Sequence, residues 1–156
     1  MTFIQPCFIR KNSPELRKKL EELGYEPCHQ MTIHPDVHKN IAVCNFFGSR
    51  YYGVSDDETT RTGDIADAIK NRGMIDCGTN EDLFFALAAL QDDTNENQWF
   101  IAQRTMWDEN YNGEITVYYE EGEWLLWGYY SLMEDMPSDF KKATVEEIIA
   151  HFNKKM

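Results

Sequence analysis

The run Leu83–Leu90, which reads Leu-Phe-Phe-Ala-Leu-Ala-Ala-Leu, has no polar side chain and constrains the fold more than any other segment. Thr79 precedes this run as a candidate helix N-cap, and Glu81 and Asp82 suit the positive end of a helix dipole. A helix that is apolar on all sides must be covered on all sides. The sequence therefore predicts a central buried helix with the other elements packed around it.

Three further helices have recognisable ends. Ser13 precedes Pro14 and predicts a helix start, and Gly24 predicts its left-handed end. Thr144 and Glu147 have the spacing of a capping box at the start of a C-terminal helix. A short helix is predicted over residues 64–72, which Gly73 would end.

Strand signals dominate the C-terminal half. Segments 98–107, 114–119 and 123–130 have strand composition, and Glu121-Gly122 suits a two-residue hairpin loop. These segments predict an antiparallel meander that buries one face and exposes the other. The expected fold class is α+β, an antiparallel sheet with a meander in the C-terminal half, packed by about three capped helices. The length predicts a single domain over residues 1–156.

Composition excludes several classes of protein. A hydrophobic share of 42% beside 27% charged residues argues against an intrinsically disordered chain. No apolar run approaches the roughly 18–20 residues of a membrane span. The first residues lack the basic and apolar regions of a secretory signal, so a cytoplasmic location is expected. A pI near 4.7 argues against direct binding to nucleic acid, whose phosphates require clustered Lys and Arg.

The acidic charge is concentrated in one part of the chain. The formal net charge is −12, yet residues 73–140 contain 15 acidic residues and one basic residue, Arg104. The other 88 residues hold 14 basic and 12 acidic residues. This imbalance has two interpretations: an acidic face that meets a basic partner, or a solvated surface that keeps a small protein soluble.

The predicted meander is also rich in aromatic residues. Tyr and Trp side chains on the exposed face of a sheet, with acidic residues around them, are typical of a protein interface. The alternative is that aromatic residues simply favour strands. The candidate partner-binding residues are Trp107, Tyr118, Glu120, Glu121, Trp127 and Tyr129.

A second constellation contains possible metal ligands. Cys28, His34, His38 and Cys44 fall within a short segment, and their side chains could meet around zinc. No Cys-x2-Cys pair anchors the set, and Pro35 opposes the helix that would align the two histidines. The alternative is a polar surface loop with two unrelated cysteines. We expect no bound cofactor.

Cys77 is the one candidate nucleophile. It lies two residues before the predicted helix cap, and a helix N-terminus can stabilise a thiolate. The Cys-x5-Arg loop of a phosphatase would need Arg at the position of Leu83. The alternative is that Cys77 is a small buried side chain under the central helix. No common nucleotide-binding, α/β-hydrolase or zinc-protease motif occurs in the sequence.

Four segments together resemble a group of small uncharacterised proteins of bacterial phages and mobile elements. They are residues 8–25, 75–93, 98–100 and 142–152, about a third of the chain, and they consist of three helices with their caps and a strand. The resemblance implies a genomic setting and no particular chemistry.

Three functions therefore remain open. The leading hypothesis is a non-enzymatic accessory or inhibitor-type protein that binds a basic protein partner through residues 73–140. The alternative is a small hydrolase or transferase that uses Cys77 or the His/Cys metal site. A third possibility is a homodimer that pairs an exposed edge of the meander with itself.

Overall fold

The N-terminal segment supplies an interior strand of a mixed five-stranded sheet. The computed structural model describes residues 3–27, 41–44, 50–54, 64–91, 97–127 and 139–153. The strands of this sheet are β1 (Cys7–Ile9), β2 (Glu26–Pro27), β3 (Ile41–Cys44), β4 (Arg50–Val54) and β5 (Ile75–Asp76). Their order is β2-β4-β3-β1-β5. β1 pairs antiparallel with β3 and parallel with β5, and its side chains are fully buried.

The described residues also form four helices. These are α1 (Pro14–Leu23), α2 (Asp64–Arg72), α3 (Glu81–Ala88) and α4 (Val145–Asn153). α3 packs against both β1 and α4. Within α3, Leu83, Phe84 and Leu87 are buried, and Phe85 is partly exposed. The prediction of a central buried helix is confirmed.

The helix ends follow local sequence signals, with one shift. Ser13 Oγ accepts a hydrogen bond from the Leu16 N–H at 3.2 Å, as expected for an N-cap. Gly24 ends α1 in the left-handed region, with φ 113°. The N-cap of α3 is Asn80 instead of the predicted Thr79, because the chain first turns at Gly78, with φ 57°.

A second group of strands lies in the C-terminal half. The strands are β6 (Trp99–Ala102), β7 (Met106–Glu109), β8 (Ile115–Tyr119), β9 (Trp124–Leu126) and β10 (Phe140–Lys142). They form an antiparallel sheet with the order β10-β6-β9 and a separate two-stranded ribbon, β7-β8. The α+β fold class is confirmed. The hairpin predicted at Glu121-Gly122 is wrong, because β8 pairs with β7 and β9 pairs with β6.

Side-chain contacts join the two groups of strands through the helices. The Tyr25 hydroxyl donates to the Ala88 carbonyl oxygen at 2.7 Å, which ties the end of α1 to α3. The Trp99 and Phe152 rings meet edge to face at 5.5 Å, which ties β6 to α4. One cluster of buried side chains includes residues of both sheets. In the part of the chain that the structure describes, no helix combines the length and apolar character needed to cross a bilayer.

The capping box of α4 makes stability depend on pH. Glu147 Oε1 accepts from the Thr144 N–H at 3.1 Å, and the Glu147 N–H donates to Thr144 Oγ1 at 3.2 Å, so the predicted box is confirmed. Bonds from Lys141 Nζ, at 2.8 Å, and from Thr144 lower the pKa of Glu147 below its ordinary value of 4.5. A carboxyl group with a lowered pKa stabilises the fold above its ordinary value, and that contribution disappears as the pH falls through its folded value.

We therefore expect Glu147→Gln to destabilise the protein at neutral pH and much less at pH 3. The measurement is urea denaturation of the wild type and the variant between pH 3 and 7. Glu146→Gln, at the neighbouring position in the first turn of α4, is the control and should show a smaller pH dependence. A constant difference in the free energy of unfolding between wild type and Glu147→Gln at all pH values would contradict the assignment.

Candidate protein-interaction site

The strands of the C-terminal sheet continue outward as one long antiparallel ribbon. Ile101 pairs with Trp124, and Met106 pairs with Tyr119, so both strands advance five residues between the two pairs. The register is therefore kept across the interruption as far as the Met106–Tyr119 pair, and it shifts by one residue at a bulge between Met106 and Trp107. Within the interruption, the Ala102 N–H donates to the Glu123 carbonyl oxygen at 2.9 Å. We call residues 105–123, which contain β7 and β8, the arm.

The arm receives little cover from the rest of the described chain. β10 pairs with β6 and reaches only its end, where the Gln103 N–H donates to the Asp139 carbonyl oxygen at 2.7 Å. Beyond that point, in the described ranges, β7 and β8 pair with each other alone. Every residue from 107 to 118 is exposed. The expectation that the meander buries one face is met by β6 and fails for the arm.

One face of the arm is mostly apolar, with three apolar side chains and one carboxylate. Trp107 pairs with Val117, and Glu109 pairs with Ile115, so these four side chains project from the same face. Trp107 is 57% exposed, Val117 49% and Ile115 62%. Contiguous exposed apolar side chains on a soluble protein are typical of an interaction site. This face is the strongest candidate for such a site among the described residues.

The tip of the arm is held in a defined turn. Asn110 Oδ1 accepts hydrogen bonds from the Asn112 N–H at 2.9 Å and the Glu114 N–H at 3.0 Å. Gly113 has φ 82°, and its N–H donates to the Asn110 carbonyl oxygen at 3.0 Å. This is the three-residue hairpin loop that ends in a left-handed glycine. The loop holds Tyr111 at the tip, where its side chain is 98% exposed.

The arm is uniformly acidic. It contains no Lys or Arg and six carboxylates, Asp108, Glu109, Glu114, Glu120, Glu121 and Glu123. Arg104, just before the arm, is held by Asp139 through two contacts of 2.6 Å and 3.0 Å. These hydrogen bonds raise the pKa of Arg104 and lower the pKa of Asp139. The basic residue nearest to the arm along the sequence is therefore already paired, and the six carboxylates make the potential around the arm negative.

The predicted partner-binding residues divide into three groups. Trp107 and Tyr118 lie on the arm, each 57% exposed, and Glu120 and Glu121 lie exposed in the turn at its base. Trp127 lies outside the arm, is partly buried, and packs against Phe100 with ring centroids 5.9 Å apart. Tyr129 lies outside the described residues. Four of the six therefore lie on the arm.

Three exposed residues of the arm were not predicted from the sequence. Ile115 and Val117 alternate with polar residues, which is equally typical of a strand that buries one face. No signal in the sequence distinguishes a strand whose apolar face is buried from a strand whose apolar face is exposed. Tyr111 could have been found, because an aromatic residue inside an Asn-x-Asn-Gly turn has no core to enter.

Cys77 lies in the core. Its side chain is 2% exposed and belongs to the main buried cluster, beneath the start of α3. A nucleophile must be reached by its substrate, so this position favours the interpretation of Cys77 as a packing residue.

The metal-site prediction falls mostly outside the described residues. This holds for Cys28, His34 and His38, and for the side chain of Cys44, whose backbone lies in β3. Within the described ranges, no three His, Cys, Asp or Glu side chains are placed to hold one metal ion.

A cleft of about 220 Å³ is lined by residues outside the arm. Its walls come from α1, α3, β6, β9 and α4, and the apolar lining includes Phe85, Trp99, Leu126 and Phe152. Asp82 is the one carboxylate among its lining residues, so the described walls hold no pair of acid and base. The cleft therefore suits packing contacts better than acid-base chemistry.

The chain was compared with protein-family models, with curated proteins and with solved structures. None of the three comparisons finds a match. The features that bear on function are therefore those of the arm itself, its exposed apolar side chains and its six carboxylates.

Proposed function

We propose that this chain is a non-enzymatic protein-binding protein, an accessory or inhibitor-type protein of a phage or mobile element, that binds a basic protein partner through its arm. The observation that carries the proposal is the exposed apolar face of Trp107, Val117 and Ile115 on an acidic ribbon. The resemblance of the helix segments to phage proteins supports the genomic setting.

The arm combines the two components that protein interfaces use. Large apolar side chains such as Trp107 give affinity when a partner removes them from water. Carboxylates around them attract a basic partner, accelerate the encounter and disfavour acidic partners. The defined turn at Asn110 reduces the conformational freedom that binding would otherwise remove. These features support a basic partner more than a neutral or an acidic one.

The charge contribution is tested by a triple variant, Glu109→Gln, Glu120→Gln and Glu121→Gln. The side chains of these residues extend into solvent, so we expect the fold to be unchanged. We expect the association rate with the partner to fall about tenfold or more at low salt, because steering by charge is lost. The matched control is Glu15→Gln, Glu21→Gln and Glu22→Gln, which removes the same charge from exposed positions on α1.

The experiment has two stages. The wild type and both triple variants are used to capture proteins from the native host, and proteins retained by the wild type and the α1 variant but lost by the arm variant are identified. Each is then purified, and its association with the wild type is measured directly at several salt concentrations. A partner that binds the arm variant as fast as the wild type, or an association rate independent of salt, would refute the proposal.

A further inference from the structure

We propose that the partner binds as a third β-strand along the free edge of β8, through an extended segment in which basic residues alternate with apolar residues. The inference rests on the proposed function and specifies how the same arm binds. It follows from the hydrogen-bond pattern of the ribbon, from a difference between its two edges, and from the distribution of charge and apolar surface.

The hydrogen-bond pattern shows which backbone groups face outward. The Asn110 N–H donates to the Glu114 carbonyl oxygen at 3.0 Å, which makes this a hydrogen-bonded pair. Bonded and non-bonded pairs alternate along an antiparallel ribbon. The pairs Glu109–Ile115 and Trp107–Val117 are therefore non-bonded, and their N–H and C=O groups point away from the partner strand. Each edge of the arm thus presents two residues for pairing with another strand.

The two edges of the arm are not equivalent. On β7, the Glu109 N–H donates to Asp108 Oδ1 at 2.9 Å, so a carboxylate covers part of that edge. On β8, within the described part of the chain, no hydrogen bond engages the outward N–H groups of Ile115 and Val117. Free strand edges are the sites at which extended segments add to a sheet. The β8 edge is the one open to such an addition.

The side chains beside this edge determine which residue types an added strand would have. Residues of an added strand that lie opposite Ile115 and Val117 would share the apolar face with Trp107. The residues between them would lie on the opposite face, near Asp108 and Thr116, within the negative potential of the six carboxylates. Apolar residues therefore suit one set of positions, and Lys or Arg suits the other. A second copy of this chain would bring two sets of carboxylates together, which disfavours pairing of β8 with itself.

The test uses a synthetic peptide of alternating Lys and Val, Lys-Val-Lys-Val-Lys-Val-Lys, with the full-length protein. We expect binding to slow amide exchange at Ile115 and Val117 about tenfold or more, since both N–H groups gain hydrogen-bond acceptors. Val117→Pro removes one outward N–H and leaves the β7–β8 bonds in place, so it should weaken binding at least about tenfold. Val117→Thr keeps that N–H and a branched side chain, and should bind within about threefold of the wild type.

A second test changes the peptide instead of the protein. Methylating the peptide nitrogens on the side that faces β8 removes donors from the peptide, and the methylated peptide should lose binding to the wild type. Equal binding of Val117→Pro and the wild type, or of the methylated and unmethylated peptides, would refute strand addition and leave the capture experiment unaffected. If a Glu-Val peptide bound as tightly as the Lys-Val peptide, or if neither peptide bound, the proposal of a basic segment would be refuted. A dimer in sedimentation that Val117→Pro abolishes would assign the edge to a second copy and overturn the inference.

Discussion

Replacing Phe84 by Ala is expected to lower the free energy of unfolding by about 3–5 kcal/mol, the range for truncating a buried aromatic side chain. Phe84 is fully buried in α3, between β1 and α4, so its removal leaves a cavity that rigid neighbours cannot fill. A loss of this size is a large part of the roughly 5–15 kcal/mol that holds a typical domain together. The measurement is urea denaturation, followed by far-UV circular dichroism.

The next residue provides a matched control. Phe85 lies in the same helix but is partly exposed, and Lys19 Nζ lies 5.3 Å from the centre of its ring. Water can occupy the space that Phe85→Ala leaves, so we expect a loss of only about 1–2 kcal/mol, the usual range for a partly exposed site. Equal losses for the two variants would mean that α3 is not the buried centre of the fold.

Replacing Trp107 by Ala is expected to weaken binding strongly and to leave the free energy of unfolding almost unchanged. The side chain projects from the arm and is 57% exposed, so the free energy of unfolding should change by less than about 1 kcal/mol. Affinity for the partner identified by capture should fall about 30-fold or more, which is the effect of removing a central Trp from an interface. Calorimetric titration with that partner, together with urea denaturation, measures both quantities.

Ile69→Ala is the control for this variant. Ile69 is an exposed apolar residue of α2, 40% exposed and far along the chain from the arm. It should alter neither affinity nor stability appreciably. If Trp107→Ala binds as tightly as the wild type while Ile69→Ala does not, the interaction site lies elsewhere than on the arm.

Features of the fold that depend on neighbouring residues could be predicted from the sequence. The caps at Ser13, Gly24 and Thr144 each involve bonds within a few residues, so a short segment determines them. The position of the α3 cap was missed by one residue. The turn before α3 depends on a bond from the Gly78 N–H to Asp76 Oδ1, 2.9 Å long, and the spacing of capping residues does not reveal it.

Strand pairing could not be predicted to the same extent. Gly122 has φ 88°, as a hairpin glycine would, and Glu121-Gly122 has the composition of a hairpin loop. The chain nevertheless continues the long ribbon through this turn, because β9 lies beside β6 and β8 lies beside β7. Which strands meet is decided by packing between distant segments, and a local turn signal contains no information about that packing.

Exposure of the arm could not be predicted for a related reason. Alternating residues such as Ile115 and Val117 indicate a strand with two different faces, but they do not indicate what covers the apolar face. In the structure, β10 pairs with β6, and residues 107–118 of the arm are exposed. Charge and aromatic content therefore indicate four of the arm residues, whereas the expected burial of one face of the meander does not extend to the arm.

The long ribbon also affects the order in which the protein acquires its structure. Contacts within the arm join residues close in sequence, and such hairpins close in about 1–10 μs. The interior strand β1 must instead pair with β3 and β5, which lie far along the chain, and distant pairings form more slowly. We therefore expect a refolding chain to form the local contacts of the arm before the distant pairings of β1. We expect the six carboxylates of the arm to repel other partly folded chains at that stage, which would limit aggregation.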